Sequence, residues 1–122
     1  MAYYDNQKCV SFEAGSDLSA YQFQFMAMSA DGQIDRSGAG AYAVGVLQNE
    51  PSAAGRAAEV AINGKMQVKC GGAVTAGGPV ASDASGQAVD ATTGDIILGE
   101  AMEAGASGEV ITILFHPRGA SA

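Results

Sequence analysis

The chain has 122 residues and a net charge of −7, from 13 acidic and 6 basic side chains. One domain accounts for that length, and the acidic balance argues against the basic stripe with which nucleic-acid binders neutralise phosphates. Hydrophobic residues reach 48%, but many are Ala, Trp is absent and 17 residues are Gly, so the core is modest and turns are frequent.

In chain order, Met1 to about Lys8 is polar and aromatic without strand-like alternation, and reads as an extended arm. Cys9 to Phe12 suits a short strand, and Glu13 to Asp17 a turn. Tyr21 to Phe25 alternates apolar with polar residues, which predicts a strand with one buried face, extended by Met26 and Met28. Asp31-Gly32 is a turn signal and Ser37 to Gly40 a flexible link. Tyr42 to Leu47 predicts the next strand, ended by Glu50-Pro51.

Asn63-Gly64 predicts a type I′ hairpin, because both central residues of that turn need positive φ and Asn and Gly tolerate it. Ala58, Val60 and Ile62 alternate before it, and Met66, Val68 and Cys70 after it. The remaining runs, Gly71 to Val80, Ser82 to Val89, Asp95 to Glu103 and Glu109 to Phe115, continue the alternation of short apolar stretches with Gly/Ala-rich turns. No segment sustains a helical period; the nearest, Ala53 to Val60, contains Gly55 and follows Pro51. The expectation is an all-β fold, a small β-barrel or β-sandwich-like module with short strands and Gly-rich turns. Residues 1–12 would form an N-terminal arm and residues 13–122 one β-rich domain.

The chemistry-bearing residues do not assemble into a catalytic motif. His116 is the only histidine and stands beside Pro117, with no nucleophile or carboxylate at a motif spacing. The serines lack a G-x-S-x-G elbow. Gly71 to Gly78 lacks the Gly-Lys-Ser/Thr ending of a P-loop and reads as two turns around Val74. Asp83, Asp90 and Asp95 could suggest calcium, but Asp83-x-x-Gly86 suits a turn whose Asp caps its own backbone. Cys9 and Cys70 lack metal-ligand spacing; a disulfide is allowed by counting, and two thiols in a reducing compartment are favoured. Neither a cofactor nor a metal is expected. The N-terminus has no apolar signal core and no stretch is long enough to cross a bilayer, so synthesis in a cytosol is expected, with no membrane or nucleic-acid partner. Charged residues are only 16% of the chain, and a lightly charged surface suits coverage by protein partners.

Several blocks in order resemble one family. They are residues 38–47 (GAGAYAVGVL), 54–62 (AGRAAEVAI), 68–80 (VKCGGAVTAGGPV), 83–91 (DASGQAVDA) and 94–114 (GDIILGEAMEAGASGEVITIL). Each is weak alone, but the ordered series, spanning about two-thirds of the chain, resembles the bacteriophage capsid cement or head decoration proteins. Arg56 departs from the family pattern at a turn, and the N-terminal third matches poorly. The resemblance implies a non-enzymatic virion protein on the outer face of an icosahedral head. It implies homotrimers at three-fold and quasi-three-fold positions that clamp neighbouring major capsid protein subunits of the expanded shell. Within that frame the arm supplies the candidate contact residues: Ala2, Tyr3, Tyr4, Asp5, Asn6, Gln7, Lys8, Cys9, Val10 and Ser11. Tyr3 and Tyr4 would be its aromatic anchors.

Two other readings compete. A surface carbohydrate-binding or adhesin module would expose aromatic platforms, and the lack of Trp counts against it. A biotinyl or lipoyl carrier would present a Lys after Ala-Met at a hairpin tip, where this chain has Glu103; Lys65 follows a predicted tip in an unmatched context.

Overall fold

The computed structural model describes residues 8–120, which form nine strands and no helix, as the turn-rich sequence predicts. The strands are β1 (Lys8–Ala14), β2 (Phe25–Ala30), β3 (Gln33–Arg36), β4 (Gly45–Leu47), β5 (Ala57–Lys69), β6 (Pro79–Ser82), β7 (Ala88–Asp90), β8 (Gly99–Ala101) and β9 (Val110–Phe115). Their lateral order is β1-β3-β2-β4-β5-β9-β8-β6-β7, with β1 also paired to β5. That extra pairing closes the first five strands into a ring. On the other side, a parallel bridge from Cys70 to Ala88 joins the end of β5 to β7 and closes a second ring. Two small barrels therefore share one long strand.

Each ring encloses its own apolar core. Leu18, Met26, Ile34, Leu47, Ala58 and Val60 fill the first, with Phe12, Tyr21 and Ile62 packed at its margin. Phe25, Met66, Val68, Val80, Leu98 and Ile113 are among those filling the second. Phe25 and Phe115 meet there with ring centroids 6.3 Å apart, inclined at 36°. Burying a side chain of this size contributes roughly 1.5–3 kcal/mol.

Strand periodicity explains how one wall serves both cores. Successive side chains of a strand point to opposite faces. Phe25, Val46 and Ala61 point into the second core, while their neighbours Met26, Leu47 and Val60 point into the first. All six are inaccessible to solvent. The centres of β2, β4 and β5 are thus buried on both faces, which explains why runs such as Val44 to Leu47 carry no polar residue.

The structure corrects the expected hairpin. Asn63 and Gly64 lie inside the 13-residue strand β5, not at a turn. Only Gly64 has a positive φ, of 90°, so the two-residue requirement of a type I′ turn is not met. Residues 57–61 and Asn63 pair with β1, whose register shifts between Lys8 and Cys9 so that Ile62 is skipped, and residues 64–69 pair with β9. Ala61 and Met66 both face the second core, yet an odd separation of five cannot share a face of a regular strand. The left-handed backbone at Gly64 supplies the break in the pleat, in the manner of a bulge.

A second correction concerns residues 21–24, which form a turn, so that β2 begins only at Phe25. Tyr21 N–H donates to Leu18 O at 3.0 Å, and Gln24 N–H to Tyr21 O at 3.2 Å. Phe23 adopts a φ of 67° between them. The apolar-polar alternation arises because Tyr21 packs on the first core and Phe25 enters the second, not because the segment is extended. β4 is likewise shorter than predicted, starting at Gly45.

Candidate functional site

The acidic side chains that raise the question of calcium accept hydrogen bonds from amides and hydroxyls of their own and neighbouring turns. Asp83 Oδ1 accepts from the amides of Ser85 and Gln87 at 2.8 and 2.9 Å, the cap its turn spacing suggests. Asp90 takes the amide and hydroxyl of Thr75 at 2.8 and 2.9 Å. Asp95 takes the same two groups of Thr92 at 2.9 and 3.1 Å. Asp17 holds the hydroxyl and amide of Ser19, which lower its pKa in that order. Among the described residues no three His, Cys, Asp or Glu side chains are grouped to hold a metal. His116 is exposed, and its amide donates to Leu98 O at 2.8 Å.

Gly71 to Gly78 folds as turns around Val74, which exchanges both backbone hydrogen bonds with Gly105, at 2.9 and 3.1 Å. Cys70 is wholly buried in the second core, and this burial, helped by the charges of Glu109 and Glu103, raises its thiol pKa. It therefore behaves as a small core hydrophobe. Cys9 is exposed on β1.

The rival chemistries find little support in the geometry. Lys65 stands in the body of β5, paired to Leu114, so it occupies no hairpin tip for a carrier to modify. A shallow cleft of about 340 Å³ is lined by Asn49, Glu50, Pro51, Ser52, Arg56 and Ala57 and presents no aromatic platform for a sugar.

Of the ten candidate contact residues, Ala2, Tyr3, Tyr4, Asp5, Asn6 and Gln7 lie outside the described residues. Lys8, Cys9, Val10 and Ser11 come together at the start of β1, with Val10 half-buried and the other three exposed. β1 pairs with β5 from Lys8 to Glu13, but with β3 only at Glu13 and Ala14. Lys8 pairs with Asn63, so β1 starts beside the point where β5 passes from one ring to the other.

A second surface is marked by no motif in the sequence. On the outward face of β9, Val110 and Leu114 are 44% and 40% exposed, and Met102, just beyond β8, is 52% exposed. Met102 N–H donates to Thr112 O at 3.0 Å, which sets it level with Thr112 between the other two. One signal for it does exist: β9 reads VITILF, with Thr112 its only polar residue, whereas a strand with one face in water would alternate.

Comparison with known proteins fits this all-β architecture. The family model described as Phage cement protein matches residues 6–116. The solved structure of the head fiber gp8.5 N base of bacteriophage phi29 is similar in fold, with a TM-score of 0.72 at 17% identity, over 95% of this chain and 98% of that one. No curated protein matches in sequence.

Proposed function

The chain belongs to the phage cement protein family, and from that premise we propose how this capsid-associated structural protein works. It binds the outer face of an icosahedral head as a homotrimer at three-fold and quasi-three-fold positions. There it clamps neighbouring major capsid protein subunits and stabilises the expanded shell, after synthesis in the bacterial cytoplasm. The observation that carries the reading is the family match over residues 6–116, which takes in all nine strands.

The physics supports a clamp. Two rings with a common wall make a stiff body, and a stiff body loses little conformational freedom on docking. A trimer touches several capsid subunits at once, so weak contacts are multiplied by effective concentration. Residues 2–11 provide the directional contact. The first part of the arm orders on the capsid or on a neighbouring protomer, with Tyr3 and Tyr4 as anchors, and β1 continues it into the folded body. Addition of the arm as a strand to an exposed capsid edge gains affinity from backbone hydrogen bonds.

Co-sedimentation with expanded, undecorated heads tests the proposal. Saturation near a whole number of trimers per three-fold site is expected. Deletion of residues 2–7, which stops short of β1, is expected to leave the melting temperature unchanged and to weaken head binding. A folded chain that does not bind heads refutes the cement role, and full binding by the truncated chain refutes the role of the arm.

A further inference from the structure

We propose that the outward face of β5, β9 and β8 is the surface through which copies of this chain associate with one another. This deepens the trimer reading above and rests on it. Cross-strand pairing defines the face. Lys65 and Glu100 are both directly opposite Leu114, so one row reads Lys65, Leu114, Glu100. The adjacent row on the same face is Gln67, Thr112 and Met102, and the next begins with Lys69 beside Val110. Apolar side chains thus run down the middle, with lysines along one flank. The other flank is acidic: the carboxylates of Glu100 and Glu103 outnumber the guanidinium of Arg118, which lies 3.4 Å from Glu100. Glu103 is held beside β9 by accepting the Thr112 amide at 3.0 Å.

This distribution selects the occupant. Rotation about an axis parallel to β9 preserves height along the strands and brings the β5 flank of one copy to the β8 flank of the next. Lys65 of one copy then meets Glu100 of its neighbour at the same level, while Leu114, Val110 and Met102 converge on the axis. A face with opposite charges at the two ends of one row is complementary to itself under that operation, and a cyclic assembly closes. Copies that each carry −7 repel one another, so association favours a surface where cations are concentrated. Three of the six basic residues, Lys65, Lys69 and Arg118, border this face.

The test is the mass of the isolated full-length chain by light scattering and sedimentation velocity, with head binding measured in parallel. Wild type is expected to be oligomeric. Leu114→Lys and, independently, Val110→Lys are expected to be monomeric with unchanged circular dichroism, since both positions are solvent-exposed. Lys65→Glu is expected to weaken association about fivefold or more, and Lys65→Glu combined with Glu100→Lys to restore it, as a re-formed ion pair should. A monomeric wild type overturns the proposal. So does an unchanged mass in both apolar-to-lysine variants, including the case where they lose head binding, which would assign the face to the capsid instead. A wild type that self-associates through this face but ignores heads refutes the cement reading and leaves the face standing.

Discussion

At Gly45 the absence of a side chain is a packing requirement. A Cβ built there would lie 2.1 Å from the carbonyl oxygen of Ala61 and 2.7 Å from Val60 Cγ1. Gly99 repeats the arrangement in the second ring, where a Cβ would lie 2.1 Å from Leu114 O. At each glycine the nearest obstacle is a backbone carbonyl of a paired strand, which cannot rotate aside as a side-chain end can. Gly45→Ala is therefore expected to destabilise by about 1–3 kcal/mol, the range for overpacking a filled core. At Gly119 an added methyl would meet nothing within 4 Å and φ is not positive, so Gly119→Ala is expected to be neutral within about 0.5 kcal/mol. Urea denaturation of the two variants against wild type measures the contrast. Equal stability of both would mean that β4 and β5 have room to separate.

Among the elements, β5 shows how far the sequence can be read. Its alternation is legible, and Ala58, Val60, Met66, Val68 and Cys70 are buried as the pattern implies. The Asn63-Gly64 signal misleads because a Gly that breaks the pleat within one strand has the same local signature as a Gly that reverses the chain. What decides between them is pairing with β1 and β9, which is far away in sequence. The same holds for Tyr21 to Phe25: its alternation follows two different cores, and one strand's periodicity cannot reveal two cores. The apolar face of β9 is hidden for a related reason, since a continuous apolar run also describes a strand buried on both faces, as β4 is. The break at Gly64 has a direct test. Gly64→Ala forces a Cβ into left-handed backbone and is expected to cost about 1–2 kcal/mol. Asn63→Ala is expected to be nearly neutral, because only Gly64 has positive φ. Thermal melts in which both substitutions cost the same would favour the type I′ turn after all.

For the whole molecule, the shared wall determines how the chain unfolds. Two cores joined by a linker could melt separately, but here Val60 and Ala61, adjacent on one strand, belong to different cores. Breaking the first ring removes the partners that hold β2, β4 and β5 in place, and these strands also line the second. Further ties cross between the halves: Phe25 N–H donates to Gly86 O at 2.6 Å, and Lys69 N–H to Phe23 O at 2.7 Å. Unfolding should therefore be a single cooperative transition. Strand β1 is the element that tests this, because it closes the first ring and makes no pairing in the second. Deleting residues 2–12 strips β5 of most of its β1 pairing and removes Phe12 from the margin of the first core. Lost backbone hydrogen bonds at roughly 1 kcal/mol each, together with the lost burial, give a cost of about 3 kcal/mol or more. In a shared-wall fold that cost lowers the one transition of the entire molecule, and near-ultraviolet signals from Tyr21 at the first core and the Phe25–Phe115 pair in the second should fall together. Scanning calorimetry that instead resolved two transitions, with the upper one at the wild-type temperature, would show that the second ring stands alone and that the common strands do not couple the two.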